Sequence, residues 1–308
     1  MTAHPRIVLA LGGGVARGWA HIGVLRTLIK AGYEPDVICG TSIGALVGGL
    51  YLAGKLDAIE RWARSLTQRR IIGLLDFTFG GAGLFGGEKL AKLLEEQVAD
   101  VCIETLPRPF VAVATELETG REVWLRDGSL IQALRASYAL PGMLAPIKYE
   151  GRWLVDGALV NPCPTSVARS FGGKVVIGVS LHTDLIGSPS DNPSTTTPTL
   201  IPDALPAPQP AGLARWLRPD RLILQQIFAD RPDGGPALSS VMVGALNILL
   251  DRVTRARLAG DPPDVLIAPR IARIGLIDFH RADEAIELGA KAAQEALPQI
   301  RHALDTLT

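Results

Sequence analysis

The stretch LALGGGVARGWAHIGVL, residues 9–25, joins a short apolar run to three glycines and then to an amphipathic helix pattern. A glycine loop of this kind exposes backbone N–H groups at a helix N-terminus, where they attract negative charge. The charge can belong to the phosphates of a nucleotide or to the oxyanion of an acyl-transfer intermediate. A dinucleotide fingerprint needs a third glycine where this chain has Arg17, and the Gly-Lys-Ser/Thr of a P-loop does not follow the glycines. Neither nucleotide motif is therefore complete.

Composition places the chain among ordinary globular proteins, because its 308 residues are 47% hydrophobic and 20% charged. The 31 Lys and Arg residues balance the 31 Asp and Glu residues, so no overall charge recruits nucleic acid or an anionic membrane. The 3 cysteines lie far apart and have no Cys-x-x-Cys or Cys/His spacing, which argues against a disulfide framework or a zinc site. No signal-peptide pattern is found. These features predict a cytoplasmic protein that binds no nucleic acid.

Short β-like runs alternate with helix patterns along the chain. Several of these runs are continuously apolar, as expected for strands that are covered by helices on both faces of a sheet. Strands are predicted at 6–12, 36–40, 109–117, 122–125, 152–156, 174–181 and 264–269. Helices are predicted at 19–32, 42–54, 57–69, 87–99, 129–138, 164–171, 238–258 and 281–303. The alternation predicts an α/β sandwich with a largely parallel central sheet.

Residues 183–236 interrupt this pattern, because proline, serine and threonine crowd their first half. A surface insertion is predicted there, with a short helix at about 221–229, and a flexible loop is favoured over a gating lid. The uncharged run 37–54 is long enough to span a membrane, yet two turn glycines divide it into strand, turn and helix, which favours buried core. We predict a single domain with a catalytic core at about 6–182, the insertion, and a C-terminal part at 237–308.

The pentapeptide GTSIG, residues 40–44, matches the G-x-S-x-G pattern of a nucleophilic serine, here Ser42. It lies between a predicted strand and a predicted helix, and a sharp turn at that junction exposes the serine hydroxyl. Glycines on both sides give the turn the clearance it needs. This placement favours a nucleophile over a purely structural turn. Since a nucleophilic serine calls for an oxyanion hole, the glycines at 12–14 are predicted to hold an oxyanion.

A serine hydroxyl needs a base to accept its proton. The sequence holds five histidines, none of them in a persuasive context for this role: His4, His21, His182, His280 and His302. Asp156, in the run RWLVDGALVNP, ends a predicted strand directly before Gly157. Because the carboxyl ends of parallel strands converge on one crevice, such a carboxylate can meet a serine at another strand end. An Asp-Gly turn explains the same two residues equally well, and a histidine base stays open.

Three blocks, GGGVARG at 12–18, GTSIG at 40–44 and DGALVNP at 156–162, resemble those of the patatin-like phospholipases in order and spacing. The chain is most similar to the bacterial neuropathy-target-esterase-like group of that family, and within it to the RssA-type proteins. The segments 114–147 and 256–286 also resemble this group, so the resemblance covers nearly the whole chain outside the insertion. It implies a patatin-like fold, a three-layer α/β/α sandwich with a largely parallel central sheet.

The resemblance also implies a Ser–Asp dyad without a catalytic histidine, in which Ser42 is the nucleophile and Asp156 is its partner. Arg17 corresponds to the basic residue that follows the glycines in the family, and two roles stay open for it: orienting an anionic head group or bracing the loop. Two residues separate the glycines from Arg17, where plant patatins have one. The amides of the oxyanion hole are implied at Gly12, Gly13 and Gly14. Further positions of the three motifs are expected to support the site: Gly18, Gly40, Gly44, Gly157 and Ala158.

The predicted function is a serine esterase or lipid acyl hydrolase with an acyl-serine intermediate. An aspartate of ordinary pKa, about 4, is a weak base, so a buried Asp156 of raised pKa is expected. The segment 136–146 is expected to shape an acyl pocket by packing. Two alternatives stay open: a catalytically idle regulatory or adaptor protein on the same fold, and a lipid acyltransferase. No metal or other cofactor is expected. The expected partners are a lipid or other acyl-ester substrate and, transiently, a membrane surface at the periphery of the cytoplasm.

Overall fold

The computed structural model describes residues 6–68, 100–182 and 238–306, together with residues 71, 83–85, 92, 94, 96 and 98. Its strands are β1 (Ile7–Leu11), β2 (Val37–Thr41), β3 (Gly83–Phe85), β4 (Phe110–Glu116), β5 (Glu122–Leu125), β6 (Gly142–Leu144), β7 (Ile147–Tyr149), β8 (Arg152–Asp156), β9 (Val175–Val179) and β10 (Val265–Ile267). The helices described along their length are α1 (Ala20–Lys30), α2 (Ile43–Leu52), α3 (Leu56–Arg64), α4 (Leu130–Ser137), α5 (Thr165–Arg169), α6 (Leu238–Gly260) and α7 (Ala282–Thr306). Short 3-10 helices at Val15–Trp19 and Gly157–Leu159 follow the glycine loop and Asp156.

Eight of the described strands form one sheet, in the order β10-β9-β1-β2-β4-β8-β7, with β5 also paired to β4. The four pairings from β10 through β4 are parallel, whereas β5, β8 and β7 pair in antiparallel fashion. Strands β3 and β6 form a separate two-stranded sheet. The α/β class and the largely parallel central sheet predicted from the sequence are therefore confirmed.

Alternate residues of the central strands face two apolar layers. In β1, Leu9 and Leu11 join a large core with residues of α1, α2 and α7, whereas Val8 and Ala10 join a smaller core with residues of α5. Every residue of β1, β2 and β9 is buried. Helices on both faces explain why these strands are continuously apolar. The arrangement confirms the three-layer α/β/α sandwich.

Strands β2 and β8 share one edge of β4 and meet there end to end. Strand β2 pairs in parallel with β4 as far as Thr41, opposite Val113, and β8 pairs antiparallel with β4 as far as Asp156, opposite Ala114. Strand β5 pairs with β4 across this junction, so β2 and β8 lie along the opposite edge. The last residue of β8 and the residue that follows β2, Ser42, are therefore neighbours. The topology alone brings the predicted serine and aspartate together.

Helices α1 and α7 cross at two glycines. A Cβ atom on Gly23 would lie 1.9 Å from the Ile286 carbonyl oxygen, and one on Gly289 would lie 2.0 Å from the Ala20 carbonyl oxygen. A glycine costs a helix interior about 1 kcal/mol relative to alanine. These two glycines allow the helices to touch backbone to backbone, which fixes α1, the helix that follows the glycine loop.

Most predicted elements lie where the sequence places them, and the differences are local. The predicted helix 57–69 ends at Arg64, because the amide and hydroxyl of Ser65 bond back to carbonyls of its last turn. Strands β3, β6 and β7 are absent from the predicted elements, because each has three residues and none lies in a longer apolar run such as the one that predicts β10. Three predictions lie outside the described residues: the insertion at 183–236, its helix at about 221–229 and most of the helix at 87–99.

The chain divides into two compact units, Met1–Ile186 with Leu250–Thr308, and Gly187–Leu249. The single domain predicted from the sequence stays a prediction. The apolar run 37–54 forms β2 and α2, as buried core. Within the described ranges, no helix combines the length and the hydropathy that crossing a membrane requires.

Candidate active site

Ser42 occupies a sharp turn between β2 and α2. Its backbone has φ 56° and ψ −125°, a conformation that residues with a side chain rarely adopt. The flanking glycines permit this turn, because a Cβ atom on Gly40 would lie 2.4 Å from the Ala45 Cα and one on Gly44 would lie 2.2 Å from the Leu11 carbonyl oxygen. A strained strand-to-helix turn of this kind is typical of a nucleophile elbow.

Ser137, the last residue of α4, supports this turn. The Ser42 N–H donates to Ser137 Oγ over 2.9 Å, and the Ser137 hydroxyl donates to the Val113 carbonyl over 2.6 Å. Ser137 is fully buried. The sequence predicts only packing for its segment, so this contact with the backbone of Ser42 was missed. A serine at the end of a largely apolar helix, LIQALRAS, is the signal that could have indicated it.

The Ser42 hydroxyl donates to the Asp156 carboxylate, with 2.6 Å between Oγ and Oδ2. The other carboxylate oxygen, Oδ1, accepts the Ala158 N–H over 2.8 Å. The Asp156 backbone carbonyl accepts the Thr115 hydroxyl over 2.9 Å. These contacts fix the orientation of the carboxylate, and its two oxygens have separate donors. The structure therefore brings together the two residues that the sequence predicts as a dyad.

Burial controls the acid–base behaviour of this pair. Asp156 is 1% exposed and Ser42 is 5% exposed. Burial raises the pKa of Asp156 to about 7, and the hydrogen bonds from Ser42 and from the Ala158 amide lower it by a smaller amount. A carboxylate with a pKa near 7 is a better general base at neutral pH than an ordinary aspartate. The raised pKa agrees with the expectation from the sequence.

The hydrogen bonds of the glycine loop correct part of the predicted oxyanion hole. The Gly12 N–H donates to the Val179 carbonyl over 3.0 Å, which continues the pairing of β1 with β9. The Gly13 N–H donates to the Pro162 carbonyl over 2.8 Å. Both amides already have acceptors, so neither is free for an oxyanion, contrary to the prediction.

The next two amides in the loop differ from those of Gly12 and Gly13 in their hydrogen bonding. In the described part of the chain, the N–H groups of Gly14 and Val15 donate to no acceptor. Val15 has φ 51°, which is rare for a β-branched residue. The turn that follows holds this conformation, because the Arg17 N–H donates to the Gly14 carbonyl over 3.1 Å and the Ala16 N–H donates to the Leu276 carbonyl over 3.0 Å. Of the three amides predicted to donate to an oxyanion, that of Gly14 is therefore the one that is not already bonded to a described carbonyl.

Arg17 braces the loop from within. Its side chain is 3% exposed, and Nε donates to the Ile274 carbonyl over 2.7 Å. Burial lowers the pKa of Arg17 to about 10, and the charge of Asp278 opposes that effect. Gly18 follows in the same turn, where a Cβ atom would lie 2.1 Å from the Ile43 side chain. Arg17 and Gly18 therefore tie the loop to the segment before α7 and to the start of α2.

The remaining predicted residues lie around the aspartate. A Cβ atom on Gly157 would lie 2.2 Å from the Val113 carbonyl oxygen, so Gly157 lets the turn after Asp156 pack against β4. Ala158 supplies the amide that bonds the carboxylate. Of the four described histidines, none is hydrogen-bonded to Ser42 or Asp156. Within the described residues, no three His, Cys, Asp or Glu side chains are grouped so that they could hold a metal ion.

Comparison with known proteins gives the family. The Patatin-like phospholipase family matches residues 9–169. An uncharacterized NTE family protein of Mycobacterium tuberculosis is 37% identical over 332 residues, which cover 96% of this chain and 92% of that protein. Patatin-like phospholipase domain-containing protein 6 of Homo sapiens is 36% identical over 182 residues, which cover 57% of this chain and 13% of that protein. The crystal structure of VipD from Legionella pneumophila covers 99% of this chain and 67% of that chain, with a TM-score of 0.45 and 12% identity.

The chain belongs to the patatin-like phospholipase family. Along nearly its whole length it is similar to an NTE family protein, in agreement with the neuropathy-target-esterase-like group that the sequence motifs indicate. Membership of this family supports a hydrolase of lipid esters in general terms.

Proposed function

We propose that the protein is a serine esterase that hydrolyses the carboxylic esters of lipids through Ser42 and Asp156. The observation that carries this proposal is the 2.6 Å contact between Ser42 Oγ and Asp156 Oδ2, inside a buried site. Family membership supports the lipid-ester class of substrate. The nucleophile and the base lie within hydrogen-bond reach of each other, which the proposed chemistry requires.

The first half of the reaction acylates the serine. Ser42 Oγ attacks the ester carbonyl carbon while its proton passes to Asp156 Oδ2, so a new C–O bond forms and the carbonyl oxygen becomes an oxyanion. The amides of Gly14 and Val15 are the donors that we propose for this oxyanion. The intermediate then collapses, the ester C–O bond breaks, and the departing alkoxide takes the proton from Asp156.

The second half regenerates the enzyme. Asp156 accepts a proton from a water molecule, the resulting hydroxide attacks the acyl-Ser42 carbonyl, and Ser42 leaves with the proton that Asp156 returns. The Ala158 amide holds the carboxylate in one orientation during both halves. Because the pKa of Asp156 is about 7, the carboxylate can take and return a proton near neutral pH.

Hydrolysis of p-nitrophenyl esters of short and long acyl chains tests this proposal. Ser42→Ala and Asp156→Asn are expected to lower kcat by about 10³-fold or more, because each removes a group that acts only in the chemical step. Thr254→Val is the matched control: its buried hydroxyl bonds the Leu250 carbonyl within α6 over 2.6 Å. Folded variants of Ser42 or Asp156 that keep wild-type turnover would contradict the dyad. Product analysis with an added alcohol detects acyl transfer.

A further inference from the structure

His21 makes a hydrogen bond to the glycine loop that the proposed mechanism does not use. It is the second residue of α1 and is fully buried. Its Nε2 lies 2.7 Å from the Gly12 carbonyl oxygen. A carbonyl oxygen only accepts hydrogen bonds, so Nε2 carries the ring proton and donates it. From the sequence, His21 was a candidate only for the base. In the fold, its position near the start of α1 directs its side chain back onto the glycine loop.

The imidazole of His21 is neutral at physiological pH. Burial lowers its pKa to about 4, which outweighs the effect of the bond to the Gly12 carbonyl. The other ring nitrogen, Nδ1, is buried and has no hydrogen-bond partner among the residues that the structure describes. Leaving a buried polar atom unpaired is costly, and an apolar side chain of similar size would avoid that cost. The donor contact with Gly12 is therefore the feature that distinguishes histidine from an apolar residue at this position.

The contact holds one end of a single peptide unit, and a second contact holds the other end. The Gly12 carbonyl accepts from His21, while the Gly13 N–H of the same peptide donates to the Pro162 carbonyl over 2.8 Å. Peptide units are planar, so fixing both polar ends fixes the orientation of the plane. The glycines on either side have wide backbone freedom and would otherwise let this plane rotate.

This peptide lies directly beside the nucleophile. A Cβ atom on Gly13 would lie 3.5 Å from the Ser42 Cβ and 3.2 Å from the Ala158 Cβ. The amides of Gly14 and Val15, for which the described residues offer no acceptor, follow immediately along the loop. The direction in which these amides point therefore depends on the orientation of the peptide that precedes them.

We propose, on the basis of the esterase function proposed above, that His21 is a positioning residue for the oxyanion hole: its Nε2–H holds the Gly12–Gly13 peptide so that the amides of Gly14 and Val15 face the oxyanion formed at Ser42. In this role His21 touches neither the substrate nor the reacting atoms. Its effect is transmitted through the backbone. Losing it should therefore weaken binding of the transition state and leave binding of the substrate ester unchanged.

The test compares two substitutions at His21. Gln carries an amide N–H the same number of bonds from Cα as Nε2, whereas Met fills similar space without a donor. His21→Met is expected to lower kcat about tenfold or more with KM little changed, and His21→Gln to restore most of kcat. Affinity for an alkyl trifluoromethyl ketone, which forms an oxyanion on Ser42, should fall in parallel with kcat. Thr254→Val again serves as the control for loss of a buried hydrogen bond to a carbonyl.

Two kinetic results would overturn the proposal: equal kcat for His21→Met and the wild type, or equal losses for the Gln and Met variants at matched thermal stability. A spectroscopic measurement on the wild type covers the case in which the Met variant does not fold, and it is independent of turnover. Nitrogen-15 NMR of the imidazole should find the proton on Nε2 from pH 8 to pH 5.5. A proton on Nδ1, or titration of His21 within that range, refutes the positioning role of His21 even if the protein proves to be an esterase. If no ester is hydrolysed, the esterase function fails and the positioning role fails with it, whatever tautomer is found.

Discussion

At Asp156, burial and hydrogen bonding act on one carboxyl in opposite directions. Burial disfavours the charged form and has the larger effect, so the pKa of Asp156 rises to about 7. The proposed chemistry requires the charged form, which the folded protein stabilises poorly. The backbone of Ser42 is unfavourable as well, because its φ is 56°, a value that residues with a side chain rarely adopt. Both residues of the proposed dyad are therefore held in states that the rest of the fold must stabilise.

Removing the carboxyl charge should stabilise the protein in a pH-dependent way. The pKa of Asp156 is 3.8 as an ordinary value and about 7 in the fold. Between these values the folded protein binds more protons than the unfolded chain, so stability falls as the pH rises through this window. Asp156→Asn removes that titration. Its gain in Tm over the wild type is therefore expected to be larger at pH 8 than at pH 5, by several degrees.

Thermal unfolding followed by circular dichroism at the two pH values checks this expectation. Thr254→Val is the control, since its change in Tm should be the same at pH 8 and pH 5. A difference between Asp156→Asn and the wild type that does not depend on pH would show that Asp156 titrates normally in the fold.

The sequence predicts some of these residues and not others for a physical reason. Ser42 follows a strand and has a glycine two residues away on each side, Asp156 ends a strand directly before a glycine, and both local patterns are visible in the sequence. The acceptors of the Gly12 and Gly13 amides are carbonyls from distant parts of the chain, at Val179 and Pro162. No local pattern encodes those contacts, so the free donors of the loop could be identified only in the folded structure.

Among the secondary-structure elements, the sequence predicts best the strands that are buried on both faces, because they are continuously apolar. Strands β1, β2 and β9 are continuously apolar because helices cover both sides, and the sequence predicts all three. The crossing of α1 and α7 is not readable, because Gly23 and Gly289 also fit a weak helix or a turn. Their role is visible only where each glycine meets the backbone of the other helix.

Adding a methyl group at this crossing should force the helices apart. Gly289→Ala places a Cβ atom 2.0 Å from the Ala20 carbonyl oxygen, so it is expected to destabilise the fold by about 1–3 kcal/mol despite the better helix propensity of alanine. Gly260→Ala is the matched control, because a Cβ atom at this helical glycine meets no described atom within 4 Å. Urea unfolding measures both. Equal free energies of unfolding for Gly289→Ala and the wild type would contradict the close contact.

At the scale of the whole molecule, the site is assembled from three distant segments. The glycine loop follows β1, Ser42 follows β2, and Asp156 ends β8. The order of the sheet brings them together, because β1 lies beside β2 and because β2 and β8 meet along β4. The sequence predicts the fold class and the two dyad residues, but the end-to-end meeting of β2 and β8 depends on how each strand pairs with β4, which no local pattern encodes.

Two buried histidines should make the whole protein sensitive to acid. Burial lowers the pKa of His21 and of His182 from 6.5 to about 4. Between these values the unfolded chain binds more protons, so stability falls as the pH drops. Asp156 acts in the opposite sense over much of this range. The wild type should therefore lose Tm between pH 7 and pH 5, His182→Gln should change little, and Asp156→Asn should lose more than the wild type.

Tm measured at pH 7, 6 and 5 for the three proteins decides this ordering. His302→Gln is a control on the exposed surface of α7 and should follow the wild type. A loss of Tm that is the same in His182→Gln and in the wild type would mean that His182 is protonated in the fold.

The most direct test of the Ser42–Asp156 dyad is the rate at which an alkyl fluorophosphonate modifies the protein, measured by intact mass from pH 5 to pH 9, with peptide mapping of the adduct. A single adduct on Ser42 is expected, with a rate that is low at pH 5, half-maximal near the Asp156 pKa of about 7 and constant above it. Asp156→Asn should react about 10³-fold more slowly and without this midpoint. An adduct on another residue, or an Asp156→Asn variant that reacts as fast as the wild type, would contradict the Ser42–Asp156 dyad.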